Sequence, residues 1–194
     1  MRNSWEKAKQ EVPAQRWADV STSAYGVSLL NRAKYGYDIK GTTMRLSLLR
    51  SPKWPDPTAD RGKHTIEYAL YPHQGTWRDA LTVQRGYEFN NPLLTVATDA
   101  HTGSLPTTHS FVRIDPPNLV LSSIKIAEDG DGWVVQWYES LGQASVATVE
   151  FPVTPKAVFV SNVLEEKGEP LPVNGRSVVM PTKANSTRTL RVRF

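Results

Sequence analysis

Apolar and polar residues along this chain alternate in short runs, and the repeat is two far more often than three or four. In Met44-Arg45-Leu46-Ser47-Leu48-Leu49-Arg50, Met44, Leu46 and Leu48 share one face of an extended segment, because side chains two apart in a strand point the same way. His64 to Tyr71 places His64, Ile66, Tyr68 and Leu70 on one side in the same manner. Trp133 to Glu139 (WVVQWYE) is the strongest strand signal, rich in β-branched and aromatic residues. Leu119 to Ile126, Ala144 to Phe151, Lys156 to Val160, Arg176 to Met180 and Thr187 to Phe194 continue the pattern. Turn chemistry separates them at Asp129-Gly130-Asp131-Gly132, Val173-Asn174-Gly175 and Lys167-Gly168. Helix is predicted only as short turns at Ser4 to Gln10 and Trp77 to Leu81, the second capped by Thr76. Many short strands with frequent turns predict an all-β fold of sandwiches rather than a parallel α/β sheet.

Proline divides the chain. The stretch from Leu105-Pro106 to Asp115-Pro116-Pro117-Asn118 is rich in it, and proline cannot donate to a sheet ladder. A boundary is expected there, with residues 1–115 forming the larger part and 116–194 a small terminal sandwich. Composition then removes whole classes of function. The 194 residues contain no Cys, which excludes disulfides, thiol nucleophiles and Cys-based metal centres. No apolar run approaches the ~18 residues that span a bilayer. The 23 Lys+Arg against 19 Asp+Glu leave a dispersed charge of +4, without the concentrated patch of a nucleic-acid binder. Arg188, Arg191 and Arg193 cluster on one strand pattern, read here as a solvated edge. The first residues, Met1-Arg2-Asn3-Ser4-Trp5-Glu6-Lys7, lack the apolar core of a secretory signal. If Met1 is the true start, a cytoplasmic protein is expected.

Motifs for chemistry are few. There is no H-E-x-x-H and no G-x-S-x-G. Asp99 and His101 are two apart, but a polar pair beside a loop explains them more simply than metal ligation does. Asp129 to Gly132 reads as a hairpin turn rather than a calcium loop, since Trp133 takes the fifth position and no Glu the twelfth. The unusual stretch is Leu49 to His73. Pro52, Pro55 and Pro57 stiffen it, and it carries Arg50, Lys53, Trp54, Asp56, Asp60, Arg61 and His64. An aromatic ring for stacking among charged groups for hydroxyls suits a sugar. A structural loop with solvated charges has the same composition, and composition alone leaves both open.

Order adds what composition cannot. Glu11-Val12-Pro13-Ala14-Gln15-Arg16-Trp17-Ala18-Asp19, Tyr35-Gly36-Tyr37-Asp38 and Met44 to Pro52 are followed by Pro55-Asp56, Asp60-Arg61-Gly62 and His64. Tyr68-Ala69-Leu70-Tyr71-Pro72-His73, Phe89-Asn90-Asn91-Pro92-Leu93 and His109-Ser110-Phe111 complete the series. In this order the chain resembles the C-terminal part of the α-mannosidases of glycoside hydrolase family 38, with the soluble bacterial and fungal branch nearest. The resemblance implies part of a large galactose-mutarotase-like β-sandwich followed by a small C-terminal one. It implies a retaining enzyme whose catalytic Asp and divalent metal, usually zinc, sit in an N-terminal barrel. None of the barrel motifs is in this chain. Met1 is then an internal start, the result of a truncated gene or a cut end. The chain alone is expected to be inactive and to bind no cofactor, the zinc belonging to the absent portion. Arg61 best matches an arginine that approaches the sugar in the family and Arg50 comes second, with Asp60, Trp54 and His64 facing the same cleft. The implied partners are α-mannoside glycans and the N-terminal catalytic portion, with no nucleic acid or membrane. Unpaired sheet edges add the possibility of a homo-oligomer. The competing expectation is a stand-alone carbohydrate-binding or interaction sandwich.

Overall fold

The computed structural model describes residues 12–194, so the helical turn expected at Ser4 to Gln10 lies outside the described residues. Among the described residues the fold is β apart from one helix. Two compact units divide between Val96 and Ala97. The Asp115-Pro116 junction suggested by proline content lies inside the second unit, where Arg113–Asp115 is hydrogen-bonded into a sheet. No helix among the described residues is long and apolar enough to cross a membrane.

The first unit has two three-stranded antiparallel sheets. One has the order β1 (Val12–Pro13), β4 (Gly36–Lys40), β5 (Thr43–Leu46), and the other β2 (Trp17–Ser21), β3 (Tyr25–Asn31), β6 (Tyr68–Gln74). Ala18, Leu29 and Tyr37 form the buried core, with Val12, Ala14, Met44 and Leu46 packed on it. The Tyr37 hydroxyl donates to Leu29 O (3.1 Å) and accepts from Asn31 Nδ2 (2.7 Å), so the ring is buried without an orphaned polar tip. Burial raises its pKa, and the bond from Asn31 only partly offsets this. On the other face of β2-β3-β6 lies α1 (Thr82–Asn90). A Cβ on Gly86 would meet Trp17 Cδ1 at 2.8 Å, so this glycine permits the close approach of helix and sheet.

Three expectations change here. The strand expected over Met44 to Arg50 ends at Leu46, because the chain leaves the sheet after Ser47 N–H bonds Gly36 O and enters the proline loop. The strand expected from His64 begins at Tyr68. Its partner β3 ends at Asn31, opposite Tyr68, and only the Arg32 N–H to Glu67 O bond extends the pairing. Trp77 to Leu81 is a single turn in which Thr76 N–H and Oγ1 both donate to Asp79 Oδ2 (2.8 and 2.7 Å), as in a capping box. Leu81 then takes φ +51°, which interrupts the turn and lets α1 start at Thr82. Periodicity did not predict α1.

The second unit is a two-layer sandwich. One sheet has the order β12 (Lys167–Leu171), β11 (Ala157–Ser161), β15 (Thr187–Arg193), β9 (Trp133–Glu139), β8 (Leu119–Ile126). The other has β13 (Val173–Asn174), β14 (Ser177–Thr182), β10 (Ser145–Glu150), β7 (Arg113–Asp115). Val135, Trp137, Val158, Leu190 and Val192 from the first sheet meet Ala147, Val149, Val178 and Met180 from the second in one core. The buried Trp137 indole donates to Thr182 Oγ1 across the layers (3.0 Å).

Lys167-Gly168 is strand, not turn. Gly168 sits where the β11–β12 register shifts, and a Cβ there would lie 3.1 Å from Val160 O, so the glycine serves a bulge. Strand β15 is interior to its sheet, not a solvated edge. Arg191 is buried and its Nη2 bonds Asp129 Oδ1 at 2.7 Å. Arg193 pairs with Asp131 at 2.9 Å. The Asp129 to Gly132 hairpin is thus held by cations of the protein itself, and Gly132, at φ +92°, passes where a Cβ would strike Val192 O at 2.1 Å.

Candidate functional site

The proline-rich connection between β5 and β6, residues 47–67, contains every residue singled out for the cleft. A clasp closes it. Ser51 N–H donates to Asp60 Oδ2 at 2.9 Å, and the His64 ring bonds Asp60 O through Nε2 at 2.8 Å. Ser51 and Asp60 both lie at positive φ, 48° and 60°, which the hydrogen bond between them helps to hold. Arg50 and Arg61 flank the two clasped residues and are therefore brought to the same end of the loop. Both are exposed, and among the described residues neither guanidinium has an ion-pair or hydrogen-bond partner. The acids that could have neutralised them are already engaged. Asp60 caps Ser51. Asp56 accepts from the Thr58 hydroxyl (2.7 Å) and N–H (2.8 Å), bonds that hold its carboxyl below the usual range. Trp54, between the two clasped residues in the chain, is 85% exposed. The clasp thus brings together Asp60, His64 and the two arginine positions, while Trp54 makes no bond in it.

A second polar group, between α1 and the β2-β3-β6 sheet, was not predicted. Asp19 Oδ2 accepts from His73 Nε2 (2.7 Å) and Ser28 Oγ (2.7 Å), and Ser21 Oγ donates to Asp19 Oδ1. Thr82 Oγ1 lies 3.1 Å from Ser28 Oγ. The side chains of His73 and Asp19 are 3% and 4% exposed. The residue types are those of a nucleophilic triad, but the geometry is not. Ser28 and Asp19 both approach Nε2, and His73 Nδ1 is buried without a partner, whereas a triad places serine and carboxylate on opposite ring nitrogens. Its role is to fasten α1 to the sheet. Two of the motifs end on members of this group, at Asp19 and at His73, but nothing in the sequence showed that they meet, since the contacting residues are 45 and 54 positions apart.

In the second unit Glu139 is buried and accepts from Asn118 Nδ2 (2.9 Å), Leu141 N–H (2.7 Å), Gly142 N–H (2.8 Å) and Asn185 N–H (2.9 Å). Burial pushes its carboxyl up, but these bonds outweigh that and bring it down to about 2. It is a structural staple. Among the described residues no three His, Asp or Glu side chains come together as a metal site. Asp99 and His101 lie exposed, outside any strand. The zinc implied by the resemblance therefore finds no set of ligands among the described residues.

Comparison with known proteins agrees along the chain. The pattern described as "Glycosyl hydrolases family 38 C-terminal domain" matches residues 1–58. That described as "Glycosyl hydrolases family 38 C-terminal beta sandwich domain" matches residues 118–191. Alpha-mannosidase G of Dictyostelium discoideum is 40% identical over 169 residues, 84% of this chain and 15% of the relative. Human alpha-mannosidase 2C1 is 42% identical over 165 residues, 84% of this chain and 16% of the relative. The chain thus spans only a small part of the length of these relatives. A crystal structure of an alpha-mannosidase from Enterococcus faecalis shares the fold, with a TM-score of 0.75 over 97% of this chain and 22% of that one, at 22% identity. Both family patterns, the motif order and the fold agree: the chain belongs to glycoside hydrolase family 38 and carries its C-terminal β-sandwich region.

Proposed function

We propose that this chain is the C-terminal β-sandwich region of a retaining α-mannosidase, and that it completes a sugar-binding cleft formed mainly by an N-terminal catalytic portion. The observation that carries the reading is the clasped loop, whose two clasped residues are flanked by Arg50 and Arg61, with no partner for either guanidinium among the described residues. An unpaired guanidinium on a stiff loop offers five donors to hydroxyls or to a carboxylate supplied by another part of the enzyme. Trp54 adds an open aromatic face, of the kind on which sugars stack. Asp60 and His64 shape the loop through Asp60 Oδ2 and His64 Nε2, and the other carboxylate oxygen and ring nitrogen stay available to face the same cleft. The substrate class is α-mannoside glycans, and the partner is the preceding catalytic portion.

A graft tests this. In alpha-mannosidase G of Dictyostelium discoideum, deleting the segment that matches this chain should abolish turnover of an aryl α-mannoside, and inserting this chain in its place should restore it. The purified chain alone should give no turnover, with or without zinc. A folded graft without activity, or turnover by the chain alone above a blank preparation, would overturn the reading.

A further inference from the structure

The second unit has an open cleft of about 410 Å³ that the mannosidase reading does not use. That volume falls within the range of small-molecule sites, about 300–1,000 Å³. Its floor is Phe151, which is 1% exposed. One wall is the end of the β7-β10-β14 sheet, where Arg113 lies directly opposite Glu150 in the ladder. Cross-strand neighbours of opposite charge would ordinarily pair. Here Glu150 is taken by Arg176 instead, which also reaches Pro152 O at 3.4 Å. Arg113 is left with no hydrogen-bond or ion-pair partner among the described residues.

Residues 108–110 complete the lining. The His109 ring is held edge-on against Phe111, with centroids 4.9 Å apart, and among the described residues neither its nitrogens nor the hydroxyls of Thr108 and Ser110 have a partner. The single carboxylate of the cleft is neutralised, so the groups left over are an unpaired guanidinium, an imidazole and two hydroxyls. These suit a ligand that is anionic and rich in acceptors, since guanidinium forms its strongest contacts with carboxylate and phosphate. The room exceeds what a bare anion fills.

We propose that this cleft binds an anionic ligand of monosaccharide size, a sugar phosphate or a sugar acid, through Arg113 and His109. It is independent of the clasped loop and does not rest on the mannosidase reading.

The test is titration of the full, isotope-labelled chain followed by amide NMR, with mannose 6-phosphate, glucuronate, neutral mannose and inorganic phosphate in separate arms. Saturable shifts at residues 108–113, 150 and 176 with mannose 6-phosphate, glucuronate or both are expected, and which of the two binds identifies the anion. Neutral mannose should shift nothing there. Arg113→Gln should weaken binding at least about tenfold, one charge-assisted contact's worth. His109→Ala, in a segment outside any strand, should weaken it without touching the fold. Absence of saturable shifts with both anionic sugars at millimolar concentration would overturn the proposal. So would inorganic phosphate binding as tightly as the sugar phosphate, or both variants binding like the parent.

Discussion

Arg61 and Glu139 show how differently two charged residues are used within one chain. Arg61 is exposed with its guanidinium unpaired, while Glu139 is buried with four donors around it. In the grafted enzyme Arg61→Ala should lower kcat/KM about ten- to a hundredfold, the effect of losing one charge-assisted contact of ~1.5–3 kcal/mol. Arg61→Lys should recover little of it, because lysine keeps the charge but lacks the planar fork. Steady-state kinetics decide this. If both variants match the parent graft, Arg61 has no part in the cleft and Arg50 is the next residue to substitute. Glu139 makes a prediction about pH. Its folded pKa of about 2 lies below the unfolded value of ~4.3, so its carboxylate stabilises the fold fully above about pH 4.5. That contribution is lost as pH falls toward 2. Urea unfolding of the parent chain should weaken through this window. Glu139→Gln should be less stable at pH 7, by ~1.5–3 kcal/mol, and should lose much less on acidification.

Elements of this fold are fastened by polar contacts as much as by apolar ones. Helix α1 has a mixed face and is docked by Gly86 against Trp17, by Asn90 Nδ2 to Asn31 O (3.0 Å) and by the Thr82–Ser28–Asp19–His73 group. Asp19 is the common acceptor of that group. Asp19→Ala would leave the donors of Ser28 and His73 buried without it, at about 1–3 kcal/mol for an unsatisfied group. The expected result is a lower Tm and faster amide exchange over residues 82–90. Unchanged exchange there would mean that Gly86 and Asn90 suffice to dock α1. The same scale explains the elements that the alternation misplaced. Strand β6 begins only where β3 can pair with it, at Tyr68 opposite Asn31, and Pro72 is tolerated within it because β6 lies at the edge of its sheet.

At the scale of the whole molecule, the first unit leaves apolar surface open. Leu70 pairs in register with the buried Leu29 yet is 67% exposed, and Tyr68 beside it is 54% exposed. The unit therefore presents an edge strand with an apolar face, a combination that invites association. Light scattering of the isolated chain should show self-association that rises with concentration, and Leu70→Lys should reduce it. A monomer at high concentration in the parent would remove the argument. The terminal sandwich was largely legible in the sequence. Strand β9 spans Trp133 to Glu139 and β8 Leu119 to Ile126, as the alternation predicts, because side-chain period and turn chemistry are local properties. Family membership was legible for a related reason, since it rests on the order of motifs and not on their contacts. Tertiary structure alone decided that β15 is interior, that Gly168 marks a bulge and that Asp19 meets His73 across 54 residues. It also decided that Arg50 and Arg61 flank one clasp. These depend on which segment pairs with which and on what covers each face, and such long-range choices leave no periodic trace in the chain.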